Sequence, residues 1–235
     1  MILYVRARRV KRSRQLGAPE RLAFLPGPVL SGIWQYGDSM RKVIYGVGIS
    51  LDGYIALPDG SVDWMWMDPE YDMGDFFKSV DVAIMGRRTL DDALKHGGGA
   101  GSFGPMACYV LSRTRPPGKR DGVEYVNAKP SKLVSEIRRK KGKHIWLMGG
   151  GDVARSFLQA DLVDEIYLGV LPILLGEGLP CFPPGFPRRR FKLTECTRYP
   201  TGMLSLVYQR ALRDSKAESK AKPAKRAPAK RSPRR

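Results

Sequence analysis

The sequence predicts an α/β domain, a three-layer α/β/α sandwich around a mixed, mostly parallel sheet that ends in an antiparallel hairpin. Three observations carry that prediction. Short, nearly continuous apolar runs recur along the chain, as expected of strands buried on both faces. Helical patterns alternate with them. The last patterned stretch, RFKLTECTRYPTGMLSLVYQR (190–210), reads as two strands joined by a Tyr-Pro-Thr-Gly turn.

VIYGVGI (43–49) is the first buried strand, and residues 69–79 form a short helix with Phe76 and Phe77 facing inward. VAIM (82–85) is the second strand, followed by a short helix from Thr89. MACYVL (106–111) is the third, and VEYV (123–126) reads as a short strand. SKLVSEIRRKK (131–141) puts Leu133, Val134 and Ile137 on one helical face and basic residues on the other. IWLM (145–148) is a further buried strand. After the glycines that follow it, Val153, Phe157 and Leu158 stripe a helix. EIYLGVLPILL (165–175) is apolar and leads to the hairpin.

A hydrophobic content of 43% supports a core, and no apolar run approaches the ~20 residues of a membrane span. The N-terminus lacks a long apolar stretch after its charges, which makes it a poor secretory signal. The net charge of +18 belongs to the ends. Residues 1–42 carry nine Lys and Arg against two acids, and residues 213–235 carry ten against two, so the middle is nearly neutral. The chain therefore divides into three parts. Residues 1–39 read as a disordered basic extension, or as a mis-called start ahead of Met40; residues 40–212 are the folded domain; residues 213–235 are a disordered Lys/Ala/Pro/Arg tail. That tail suits sequence-independent attraction to DNA or another polyanion, without base stacking, because it has no aromatic residue. Cys108, Cys181 and Cys196 are odd in number and widely separated, which argues for a reducing, cytoplasmic compartment. His96 and His144 are the only histidines and no Cys-x-x-Cys is present, so a zinc site of familiar spacing is absent.

Three stretches share one geometry, each at the carboxyl end of a buried strand. MGRRT (85–89) supplies Gly86, Arg87, Arg88 and Thr89; LSRT (111–114) supplies Leu111, Ser112 and Arg113; GGGDVA (149–154) opens a helix on bare glycine. Ligands of open α/β sheets gather at these strand ends. A helix N-terminus with exposed amides favours an anion, and arginines add bidentate phosphate partners. Each stretch alone is weak, but in register across three strands they point to a nucleotide phosphate. By contrast GAGSFG (99–104) fits the dinucleotide glycine spacing but follows a helix and precedes a strand, so it reads as a flexible loop.

ISLDGYIA (49–56), VDW (62–64), VAIMGRRT (82–89), YVLSRT (109–114) and IWLMGGGDVA (145–154) occur in the order and spacing of dihydrofolate-reductase-like proteins. The ensemble, over about residues 42–210, resembles above all the reductase domain of bacterial riboflavin biosynthesis and its uncharacterised relatives. LPILLGEGLPCF (171–182) also resembles that group. The resemblance implies an NADPH-dependent reductase that transfers a hydride to a C=N or C=O group of a small pterin-like or aminopyrimidine-riboside-like substrate. It implies that Arg87, Arg88, Thr89, Ser112 and Arg113 surround the adenosine 2′-phosphate and pyrophosphate, with Gly86 and Leu111 beside them. Gly149, Gly150, Gly151, Asp152, Val153 and Ala154 would meet the pyrophosphate and nicotinamide, with a cis peptide between the first two glycines.

On the substrate side it implies Ser50, Tyr54 and Trp64. Tyr54 stands where riboflavin-pathway reductases carry a lysine, a departure that bears on substrate identity. Asp52 and Asp68 are the candidate catalytic acids. Asp52 reads more readily as a turn or structural hydrogen-bonding acid than as a general acid, and Glu70, Asp72 and Asp75 compete with Asp68. Members of the family often pair through sheet edges, so the resemblance allows a homodimer.

Overall fold

The computed structural model describes residues 40–95 and 104–211. The expected disordered segments 1–39 and 213–235, His96 and all but the last residue of the 99–104 stretch lie outside them.

Among the described residues, eleven strands and four helices follow the predicted alternation. The strands are β1 (Val43–Ile49), β2 (Tyr54–Ala56), β3 (Val80–Gly86), β4 (Ala107–Leu111), β5 (Gly118–Arg120), β6 (Val123–Val126), β7 (His144–Gly149), β8 (Glu165–Val170), β9 (Leu179–Pro180), β10 (Phe191–Arg198) and β11 (Leu204–Arg210). The helices are α1 (Gly74–Ser79), α2 (Arg87–Lys95), α3 (Pro130–Arg138) and α4 (Gly151–Gln159). Nine strands form one sheet in the order β10-β11-β8-β1-β7-β3-β4-β6-β5, and β2 pairs with β9 separately. From β8 through β6 every neighbour is parallel. The hairpin β10–β11 closes one edge antiparallel, as expected, and β5 adds an antiparallel strand at the other.

Strand alternation distributes side chains to two cores. Val43, Tyr45, Ile84, Ile145 and Leu147 face α3 and α4, meeting Leu133, Ile137 and Phe157. Ile44, Ala83, Met85 and Trp146 face the other way, toward Leu90 and Ala93 of α2 and Phe76 of α1. Helices therefore cover both faces, which is why the central strands read as continuous apolar runs rather than alternating ones.

Element boundaries differ from the sequence reading in places. The first helix begins at Gly74 rather than at residue 69, because Asp68 and Asp72 accept backbone N–H bonds from Glu70 and Gly74 and hold that stretch in turns. Phe76 packs on Trp146 as expected, but Phe77 is 39% exposed. The apolar run 165–175 is strand only to Val170. Pro172 cannot donate to a ladder, and the chain turns outward until Leu174 is 70% exposed. The short strands β2, β5 and β9 had no periodic signal to betray them.

At the amino ends of the strands, ion pairs tie the layers together. Arg138 and Arg210 both hold Asp164, at 2.6 and 2.8 Å, and Lys42 holds Glu165 at 2.7 Å. His144 heads β7 here as a structural residue. Its Nδ1 accepts the Lys42 N–H at 3.3 Å, and burial lowers its pKa toward the neutral form. The opposite, carboxyl edge of the sheet is left to a cleft.

Candidate functional site

A cleft of about 750 Å³ runs along the carboxyl ends of β6, β4, β3, β7 and β1. Gly86, Arg87, Arg88 and Thr89 enter it from the β3–α2 junction, Leu111, Ser112 and Arg113 from the end of β4, and Gly150, Gly151, Asp152 and Val153 from the start of α4. These residues are scattered over some 65 positions of sequence yet share one wall, because parallel pairing puts the ends of β3, β4 and β7 side by side.

The local chemistry suits an anion. The first turn of α4 leaves amides without intrahelical acceptors, and Asp152 in that turn complements the helix dipole when no ligand does. Ser112 is buried, and its hydroxyl oxygen accepts the N–H of Arg115 at 2.9 Å and of Thr114 at 3.3 Å. That arranges the Arg113 loop and leaves the hydroxyl proton available as a donor. Arg87 is steadied by Asp91 at 2.5 Å and Arg155 by Asp152 at 2.9 Å, whereas Arg88 and Arg113 form no ion pair among the described residues.

The glycines are explained by what surrounds them. The Gly149–Gly150 peptide is cis, and Gly149 has a φ of 101°, a conformation that side chains rarely adopt. A Cβ on Gly151 would lie 2.4 Å from the Pro180 carbonyl oxygen and 2.8 Å from Pro183 Cγ, so only glycine lets α4 start against that segment. Gly150 has ordinary room, its nearest neighbours being Ile55 and Thr89 at 3.7 Å, and it faces the cleft. Gly149 and Ala154 do not line the cleft. Gly149 ends β7 above Tyr45, and Ala154 is fully buried in the core.

The structure places the substrate-side candidates outside the wall of the cleft. Ser50 is buried, and its hydroxyl donates to Asp52 at 2.6 Å and accepts the Tyr54 N–H at 3.0 Å, closing the β1–β2 turn. Tyr54 packs over Gly178, and the Trp64 indole nitrogen is buried without a partner. None of the three lines the cleft.

The two candidate acids are likewise elsewhere. Asp52 is exposed and accepts the N–H groups of Leu175 and Gly176 at 3.1 and 2.8 Å, and its hydrogen bond from Ser50, with these amides, lowers its pKa. Asp68 is buried and accepts the N–H of Glu70 at 2.8 Å and of Thr201 at 3.0 Å. Burial pushes its carboxyl up, but these bonds outweigh it and the pKa falls. Both carboxylates hold loops in place and neither reaches the cleft. Of the competing acids, Glu70 is exposed, and Asp72 and Asp75 lie at the start of α1, also away from the cleft.

Several lining residues escaped the sequence reading. Asn127, Ala128 and Pro130 follow β6 and could have been found by the same strand-end rule. Val47, Ile55, Val62, Met65 and Pro180 come from strand faces and loops, and nothing in their residue type singles them out within those stretches. Among the described residues no cluster of ligating side chains could hold a metal, and no helix is long and apolar enough to cross a membrane.

The RibD C-terminal domain family matches residues 105–205 of this chain. Uncharacterized protein YwjB of Bacillus subtilis (strain 168) is 32% identical over 145 residues, which cover 60% of this chain and 83% of YwjB. Among solved structures, a protein of Shewanella sp. PV-4, provisionally named as one of riboflavin biosynthesis, is 29% identical with a TM-score of 0.62. The match covers 73% of this chain and 99% of that one. Dihydrofolate reductase from Enterococcus faecalis, solved with NADP(H), shares the fold with a TM-score of 0.54 at 16% identity, covering 72% and 96%. The mixed sheet, with a glycine-started helix on its carboxyl edge, thus has the dihydrofolate-reductase-like fold. Within that fold the chain belongs to the RibD C-terminal domain family.

Proposed function

We propose that this chain is an NADPH-dependent reductase of a small heterocyclic substrate. One observation carries the reading: Arg87, Arg88 and Arg113, with the amino end of α4, open into a single cleft. The donor set fits a doubly phosphorylated adenine dinucleotide, because guanidinium groups supply bidentate charge and helix amides supply directed N–H groups. When bound, NADPH supplies a hydride to the carbon of a C=N or C=O group, while a proton taken up from water completes the reduction.

The chain's own part is placement. Arg88 and Arg113 hold the 2′-phosphate, the start of α4 holds the pyrophosphate, and Gly150 admits the dinucleotide close to the backbone. Val47, Ile55 and Met65 exclude water from the reacting end. Asp52 and Asp68, bound to loop amides, take no part in proton transfer.

The decisive test is Arg113→Ala, followed by titration of the full chain with NADPH and with NADH. Losing one charged phosphate hydrogen bond costs ~1.5–3 kcal/mol, about 10–100-fold in affinity. NADPH affinity is expected to fall by that factor and NADH affinity by much less. Equal loss for both would remove the 2′-phosphate assignment, and a wild-type chain that binds neither dinucleotide would remove the reductase.

A further inference from the structure

Opposite the cleft, the amino edge of the sheet carries a fixed cluster of cations. α3 runs from Pro130 on the cleft wall to Arg138, and the turn 139–143 then leads into β7. Arg41, just ahead of β1, is buried under that turn. Its guanidinium donates to the carbonyls of Lys143 at 2.6 Å, Ile137 at 3.2 Å and Lys140 at 3.5 Å. Asp81 pairs with Arg41 and accepts the Lys143 N–H at 3.0 Å. A Cβ on Gly142 would collide with the Asp81 carboxylate, so glycine lets the turn close over the pair. On this pinned backbone Arg139, Lys140, Lys141 and Lys143 are all exposed, and none forms an ion pair among the described residues. The acids beside them are already neutralised. Asp164 is shared by Arg138 and Arg210, Asp161 by Arg189 and Arg210, and Glu165 is held by Lys42. Both basic ends of the chain also join the domain here. Met40 adjoins Arg41, and Arg210, at the end of β11, reaches the same Asp164 that Arg138 of α3 holds.

We infer that this edge binds the phosphate backbone of double-stranded DNA without reading its sequence, with Arg139, Lys140, Lys141 and Lys143 as the fixed part of the contact. Duplex DNA carries one negative charge per about 1.7 Å of its axis, and cations that replace its condensed counterions gain by their release. Four neighbouring cations whose local acids are spent match that charge density. Other polyanionic partners fit less well. Single strands are held largely by stacking on aromatic side chains, and the run 138–143 has none. A membrane-surface helix needs a free apolar face, but Leu133, Val134 and Ile137 of α3 are spent in the core. The surface lies at the other end of α3 from the cleft, so it is independent of the dinucleotide reading. The Lys- and Arg-rich segments 1–39 and 213–235 would add their charge to a contact that the folded edge positions.

The test is fluorescence anisotropy of a labelled random-sequence duplex of about 20 base pairs, titrated with the full chain between about 0.05 and 0.2 M salt. Affinity is expected to fall steeply with salt. In the double variant Lys140→Gln, Lys141→Gln the log–log salt slope should shrink by ~1.8, at ~0.9 per lost phosphate contact, and affinity at 0.1 M salt should drop at least ~10-fold. The double variant Lys129→Gln, Lys132→Gln removes the same charge from the opposite end of α3 and should change the slope by less than ~0.5. All four side chains are exposed, so the urea midpoints of both variants should match the parent. The proposal is overturned if the parent chain does not bind the duplex, or if the two variants weaken binding equally, which would make the attraction a matter of net charge. Tighter binding to a single strand of the same length, or to vesicles of phosphatidylcholine and phosphatidylserine, would overturn it as well.

Discussion

Adding one methyl group at Gly151 probes the packing that shapes the cleft. In Gly151→Ala the new Cβ would start 2.4 Å from the Pro180 carbonyl oxygen and 2.8 Å from Pro183 Cγ. Carbon contacts are comfortable at roughly 3.5 Å or more, so something must move by about 1 Å. Neither neighbour can yield easily. The Cys181 N–H donates to the Gly53 carbonyl at 2.9 Å, and the Cys181 carbonyl accepts the buried Tyr45 hydroxyl at 3.1 Å, which pins the chain between the two prolines. Overpacking of this kind costs ~1–3 kcal/mol. The better helix propensity of alanine returns at most ~1 kcal/mol, and less at the first helical position. The steric effect therefore wins, with a net loss of about 1–2 kcal/mol. Urea unfolding should show a lower midpoint at unchanged slope, and NADPH binding should weaken because α4 and the 179–183 wall are forced apart. An alanine variant as stable as the parent, with the same affinity, would refute the claim that glycine is required here by close approach.

Other expectations follow from the same contacts. Tyr45→Phe removes the hydroxyl that satisfies the Cys181 carbonyl, leaving a buried acceptor unpaired, so unfolding free energy should drop by ~1–3 kcal/mol; an unchanged midpoint would mean water replaces the bond. Burial pushes the Cys108 thiol up to about 11 and the Cys181 thiol up to about 12, whereas Cys196 is exposed on β10. A thiol reagent at pH 8 should therefore modify one cysteine rapidly in the native protein and three after denaturation. Asp68 has a folded pKa below its unfolded value of ~3.9. Its contribution is complete above that unfolded value and is lost as pH falls through the lowered folded one. Asp68→Asn should flatten this acid limb of the stability curve without changing the pH dependence of hydride transfer. A variant with normal stability but lost turnover would restore the acid to a catalytic role.

The sheet was legible because strands buried on both faces must be apolar throughout, and β1, β3 and β7 were found within two residues of their ends. The strand ends that bring arginines and glycines to the cleft were legible too. Arg87, Arg113 and Gly150 sit directly after such strands, and parallel pairing then forces their ends together. The acids and the substrate side were not. Ser50, Asp52 and Tyr54 have the composition of a site, but the chain folds the β1–β2 turn so that Asp52 reaches amides more than 120 residues away. A carboxylate's role depends on which donors surround it, and those donors arrive from distant segments. Periodicity and strand-end position are local properties that one stretch of chain carries in itself. The apolar lining given by Val47, Ile55 and Met65, and the contact that demands glycine at 151, exist only once β2, β9 and the 57–65 loop are brought against the sheet. Sequence alone settled the layers and the sheet edge that carries the arginines and glycines; tertiary packing decided which polar groups were left facing the cleft.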